Sequence, residues 1–164
     1  MTAMDVSKPL PGAAFGATVR LAKSIAEELP DGLPAALADA GGLLLIPGLG
    51  EITARPELLL HLSRLFGPEV EDYRFTLANP ATVHVTVPEI FIVSNMPPVG
   101  RAPPKRPEPP LTPDGRFPVQ YPQRKGWHTD QSYRRPPPDV SLFLAVNPVI
   151  QGEGQTLFAD GIAA

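Results

Sequence analysis

Cysteine is absent from the 164-residue sequence, which removes disulfides, thiolate metal sites and cysteine nucleophiles from consideration. Histidine is nearly as scarce. With three imidazoles in the chain, at His61, His84 and His128, any metal must be held by these together with carboxylates. No stretch approaches the ~20 apolar residues that a membrane-spanning helix needs, and the opening MTAMDVSKPL lacks a basic region followed by an apolar run. A cytoplasmic protein with no membrane partner is the resulting expectation. Positive charge is not in excess either: 14 Lys and Arg stand against 17 Asp and Glu, for a formal net charge of -3. No basic stripe runs along any predicted element, so no nucleic-acid partner is expected.

What the chain has in quantity is proline, 23 residues, of which ten fall between Pro97 and Pro122. That segment cannot sustain a helix or an internal strand, because proline removes donors and fixes φ throughout. It reads as a long surface loop at about 97–122, either a lid or plain disorder. The remainder, within a sequence that is 43% hydrophobic, has the length and composition of one domain spanning 1–164.

Short elements alternate with turn signals. Phe15 to Arg20 is a strand candidate, Leu33 to Ala40 a short helix stopping at Gly41-Gly42, and Leu43 to Ile46 a compact apolar strand ended by Pro47-Gly48. From about Pro56 to Phe66 the residues Leu58, Leu59, Leu62, Leu65 and Phe66 fall on one helical face. Thr82 to Val87 alternates strictly, with Val83, Val85 and Val87 on one side and His84 on the other, which is strand patterning. Ile90 to Val93, Val140 to Val146 and Thr156 to Ala159 are further strand candidates. Many short strands with few helices favour a mainly β sandwich or barrel with flanking helices.

Chemistry concentrates in GWHTDQSY. Side chains two residues apart on an extended strand share a face, so His128 and Asp130 can close on one cation. Joined by one more His, such a pair makes the facial triad that leaves positions open on Fe(II). On spacing alone, a surface pair holding no metal is the commoner outcome. Trp127 is expected to pack against the sheet, and His61 and His84 to be structural or solvated.

Three consecutive blocks, WHTDQSY, PPPDVSLFLAV and GQTLFADGIAA, resemble the taurine dioxygenase family (TauD/TfdA) in order and separation. Upstream, PLPGAAFGATVR, GGLLLIPGL, LSRLFGP and IFIVSN resemble the family's opening strand, buried strand, helix end and the strand before the lid. The resemblance implies a double-stranded β-helix of the jelly-roll or cupin-like kind. It implies an Fe(II)/2-oxoglutarate-dependent dioxygenase that hydroxylates a small organic substrate with O2 while 2-oxoglutarate is decarboxylated to succinate and CO2. Carried over by position, His128 and Asp130 become iron ligands and Thr156 a hydrogen-bond donor to a 2-oxoglutarate carboxylate. Asn95 and Tyr73 fall where substrate contacts are made. Bland readings stand beside these: Thr156 as the start of a strand, Asn95 and Tyr73 as turn and rim residues.

The family pattern also requires a distal His as third ligand and an Arg for the far carboxylate of 2-oxoglutarate. After Asp130 the sequence has no His, and after Arg135 no Arg. Asp160 reads as the N-cap of a helix whose first turn is Gly161 to Ala164, and helices shorter than ~12 residues are marginal alone. The expectation is a fold incomplete at its C-terminus, which associates as an oligomer or with a complementing C-terminal chain. Two rivals follow: a noncatalytic remnant or half-domain that needs a second chain, and a cupin-type metal protein of different reaction.

Overall fold

The computed structural model describes residues 4–7, 9–10, 12–76, 80–93, 113, 127–132, 134–147, 156–161 and 163. The chain divides into two compact units, Met1–Phe91 with Ala159–Ala164, and Ile92–Phe158.

In the first unit a three-stranded mixed sheet has the order β1-β2-β3, with β1 at Met4–Ser7, β2 at Ala17–Leu21 and β3 at Leu44–Leu45. β1 runs antiparallel to β2, pairing Met4 with Leu21 and Ser7 with Thr18. β2 and β3 are parallel, with Ala17 opposite Leu44. Parallel neighbours need a crossover, and here it is helix α1, Leu33–Asp39. Helix α2, Glu57–Ser63, follows a 3-10 turn at Gly50–Thr53.

Each element forms for a local reason. β2 alternates, burying Ala17 and Val19 while Arg20 points to solvent, as one covered sheet face requires. α1 is rich in alanine and leucine, both good helix formers, and buries Leu33, Ala36 and, at its C-cap, Ala40. It ends in a Schellman motif: Gly42 N–H donates to Leu37 O at 2.9 Å and Gly41 N–H to Ala38 O at 3.2 Å. Gly41 supplies the required positive φ of 71°. α2 buries Leu58 and Leu62, one turn apart. Its apolar pattern continues to Phe66, but Leu65 and Phe66 donate three residues back, to Leu62 and Ser63, so the last turn tightens and the regular helix stops at Ser63.

Gly16 sits where the sheet meets the end of the crossover. Its N–H donates to Ala40 O at 2.8 Å, and the next N–H, on Ala17, to Leu43 O at 3.0 Å. Gly16 is buried with φ of 88°, and a Cβ there would lie 2.7 Å from Leu10 Cδ1 and 3.4 Å from Leu43 Cδ2. Val19, Ile25, Pro30, Leu33 and Ile52 are all buried. The segment before α1 is tied to the 3-10 turn by Glu51, whose carboxylate accepts from Ser24 Oγ and, at 3.0 Å, from Ile25 N–H.

Several expected strands are not strands. Thr82 to Val87 holds the end of a 3-10 turn at Pro80–Thr82, a single bridge from Val83 to Phe91, and then a turned segment. Val85, expected on the buried face, is 95% exposed. The competing interaction is local: His84 Nδ1 accepts from the N–H groups of Thr86 and Val87, and side chain to backbone bonds of this kind draw the chain out of a ladder. Of Ile90 to Val93, Phe91 alone is bridged. In the second unit, Val140, Leu142 and Leu144 are half-buried while Ser141, Phe143 and Ala145 are exposed, yet no ladder forms among the described residues. Thr156 to Ala159 is exposed and likewise outside any strand. All but Pro113 of the proline-rich stretch 97–122 lies outside the described residues.

Ala at position 16 is expected to lower the stability of the chain by about 2 kcal/mol or more, combining left-handed backbone strain with crowding against Leu10. Gly48→Ala, at a similar φ of 89° but with nothing near the added methyl, should cost about 1 kcal/mol. Urea unfolding midpoints of the two variants check the order.

Candidate functional site

His128 and Asp130 lie in the second unit, on an irregular stretch that turns at Asp130. His128 Nε2 and Asp130 Oδ1 are 3.2 Å apart, with the side chains 49% and 41% exposed. The two groups are thus in contact without a strand beneath them. Two ligands held about 2.1 Å from one ion in neighbouring octahedral positions stand about 3.0 Å apart. The observed separation is within a few tenths of that, and it equally suits a direct imidazole–carboxylate contact.

The chain reverses immediately after the pair. Gln131 adopts a φ of 55°, the left-handed region that non-glycine residues rarely enter, and Gln131 O accepts from Arg134 N–H at 3.0 Å. The Arg135 guanidinium then donates through Nη1 to Ser132 O at 2.8 Å and Arg134 O at 2.7 Å. A turn clamped by its own main chain and one arginine therefore follows directly on Asp130. The sequence offered no sign of it, since Gln carries no preference for positive φ.

Trp127, expected to pack against a sheet, is instead 71% exposed, because no ladder flanks it among the described residues. Thr156 is also exposed in the second unit. Asn95 lies outside the described residues. Among those described, no third His, Cys, Asp or Glu joins His128 and Asp130 in a group able to hold a metal ion. The donor set present is one nitrogen and one carboxylate oxygen, chemically suited to a ferrous ion at two of its positions.

Tyr73 belongs to the first unit. Its N–H donates to Pro88 O at 3.0 Å, and its ring lies 5.7 Å from that of Phe91 at a tilt of 44°. Beside it Arg74 grips Asp72, with Nε 3.0 Å from Oδ1 and 3.2 Å from Oδ2, and also covers the Phe75 ring at 5.5 Å. An open depression of about 360 Å³ is lined by Arg74, Val83, His84, Val85, Thr86 and Pro88. Sequence reasoning did not single out Arg74. His61 is exposed near the end of α2, as its position beside the apolar stripe implied.

The family profile described as taurine catabolism dioxygenase TauD, TfdA family matches residues 7–164. Neither a curated protein nor a solved structure gives a match. No helix among the described residues is long and apolar enough to cross a membrane.

Two outcomes follow from this geometry. Gln131→Gly should be neutral or raise stability by up to about 1 kcal/mol, whereas Gln131→Val should lower it by about 1–2 kcal/mol, as read by thermal unfolding. The hydrogen bonds from Arg74 hold the Asp72 carboxyl below the usual carboxylate range. A folded-state value below the unfolded one adds stability at pH above the unfolded value, and that increment disappears as pH falls through the folded one. The stability difference between the wild type and Arg74→Ala should therefore shrink on acidification below about pH 4, measured by denaturation across pH.

Proposed function

The chain belongs to the taurine catabolism dioxygenase (TauD, TfdA) family, a family of oxidoreductases, and on that premise we propose that it serves an Fe(II)- and 2-oxoglutarate-dependent dioxygenase acting on a small organic substrate. The single observation that carries the reading is the 3.2 Å approach of His128 Nε2 to Asp130 Oδ1 within the matched region. When bound, Fe(II) with 2-oxoglutarate and O2 would supply oxidation of a substrate C–H bond to an alcohol, coupled to decarboxylation of 2-oxoglutarate to succinate and CO2. His128 and Asp130 are two of its ligands, one neutral and one anionic. Thr156 donates its hydroxyl to a 2-oxoglutarate carboxylate without adding charge. Tyr73 and Asn95 contact the substrate.

In this reading 1–164 belongs to a single cytoplasmic domain whose mixed sheet contributes to a double-stranded β-helix. A third imidazole then comes from outside the described residues. The absence of such a ligand among those residues also supports a second reading, a noncatalytic half-domain that acts only with a second chain.

Incubation with Fe(II), 2-oxoglutarate and O2, with succinate quantified, separates the two. Dioxygenase function predicts succinate above the protein-free background. Removing a group that merely orients a metal ligand costs about 10–100-fold, so His128→Ala and Asp130→Ala should each lower the rate by about 100-fold or more. Succinate at background from the wild type, restored by a second chain carrying a His and an Arg in family context, would support the half-domain. Unaltered turnover in both variants would overturn the ligand assignment.

A further inference from the structure

The segment between Val83 and Phe91 is tied together from inside by one imidazole. Its ends meet in the bridge between those two residues. Within them, His84 N–H donates to Ile90 O at 3.0 Å and Ile90 N–H to Val87 O at 3.0 Å. The His84 side chain folds over its own turn, where Nδ1 lies 3.3 Å from Thr86 N, 3.2 Å from Val87 N and 3.4 Å from Thr86 Oγ1. Two backbone N–H groups converge on this nitrogen, and both can only donate. Nδ1 must therefore be the unprotonated acceptor of a neutral ring.

We propose that His84 is a proton-operated clasp: the neutral imidazole holds the 84–90 turn closed, and protonation at Nδ1 opens it. A protonated Nδ1 has no lone pair for the Thr86 and Val87 amides and can donate only to Thr86 Oγ1. Arg74 is the other titratable residue lining the open depression beside His84. Arg74 is paired with Asp72 and influenced by Glu89. Asp72 and Glu89 offset that cation, so the opening rests on the loss of the two acceptor bonds.

Opening reaches beyond the turn because Pro88 O accepts from Tyr73 N–H and Phe91 packs on the Tyr73 ring. An effect on substrate through Tyr73 rests on the reading of that residue given above. The clasp itself does not, and amide exchange tests it without turnover.

Hydrogen exchange on the full chain, corrected for intrinsic rates, should show protection at Thr86 and Val87 at about pH 8 that falls by about tenfold at about pH 5, the range in which imidazoles titrate. Protection at Gly16 and Ala17, bonded to Ala40 and Leu43, should hold over that range. His84→Asn keeps an acceptor without a titrating group and should give pH-independent protection, whereas His84→Ala should lose it throughout. Protection at Thr86 and Val87 that stays constant in the wild type, falls equally in His84→Asn, or falls together with Gly16 and Ala17 would overturn the clasp. Should a variant fail to fold, the wild-type comparison of the two amide pairs decides alone.

Discussion

Two main-chain hydrogen bonds join the sheet of the first unit to its crossover, Gly16 N–H to Ala40 O and Ala17 N–H to Leu43 O. They can form because α1 is stopped by its Schellman motif and the chain turns back within Gly41 and Gly42. They also require position 16 to carry no side chain, since β2 leaves Gly16 at a positive φ with Leu10 and Leu43 packed where a Cβ would go. The parallel register of β2 and β3 follows from that junction. Backbone geometry at one glycine therefore organises a core whose apolar residues are individually ordinary.

Much of this was legible in the sequence where two signals agreed. Apolar spacing and Gly-Gly together mark α1 and its end, and the apolar stripe with Pro56 at its head marks α2. Alternation alone misled at Thr82 to Val87, because periodicity records which residues are apolar and says nothing of a nearby acceptor that competes with a ladder. His84 supplies that acceptor, with two amides within reach of a short turn. The parallel pairing of β2 with β3 is long-range, and no local pattern announces it.

The candidate site divides in the same way. An i, i+2 spacing marks His128 and Asp130 as neighbours, and they are 3.2 Å apart although no strand carries them. What the spacing cannot encode is the left-handed residue that follows, which depends on the turn as a whole rather than on glutamine. Distance alone does not decide between a surface contact and a pair of metal ligands, because 3.2 Å suits either.

Trp127 adjoins this pair and is the chain's single tryptophan. Its indole is largely open to water, so the red-edge emission of the protein originates at one position beside His128. The molecule thus carries a native optical label there, and quenching by a paramagnetic ion or a shift in emission can be assigned to that position without deconvolution.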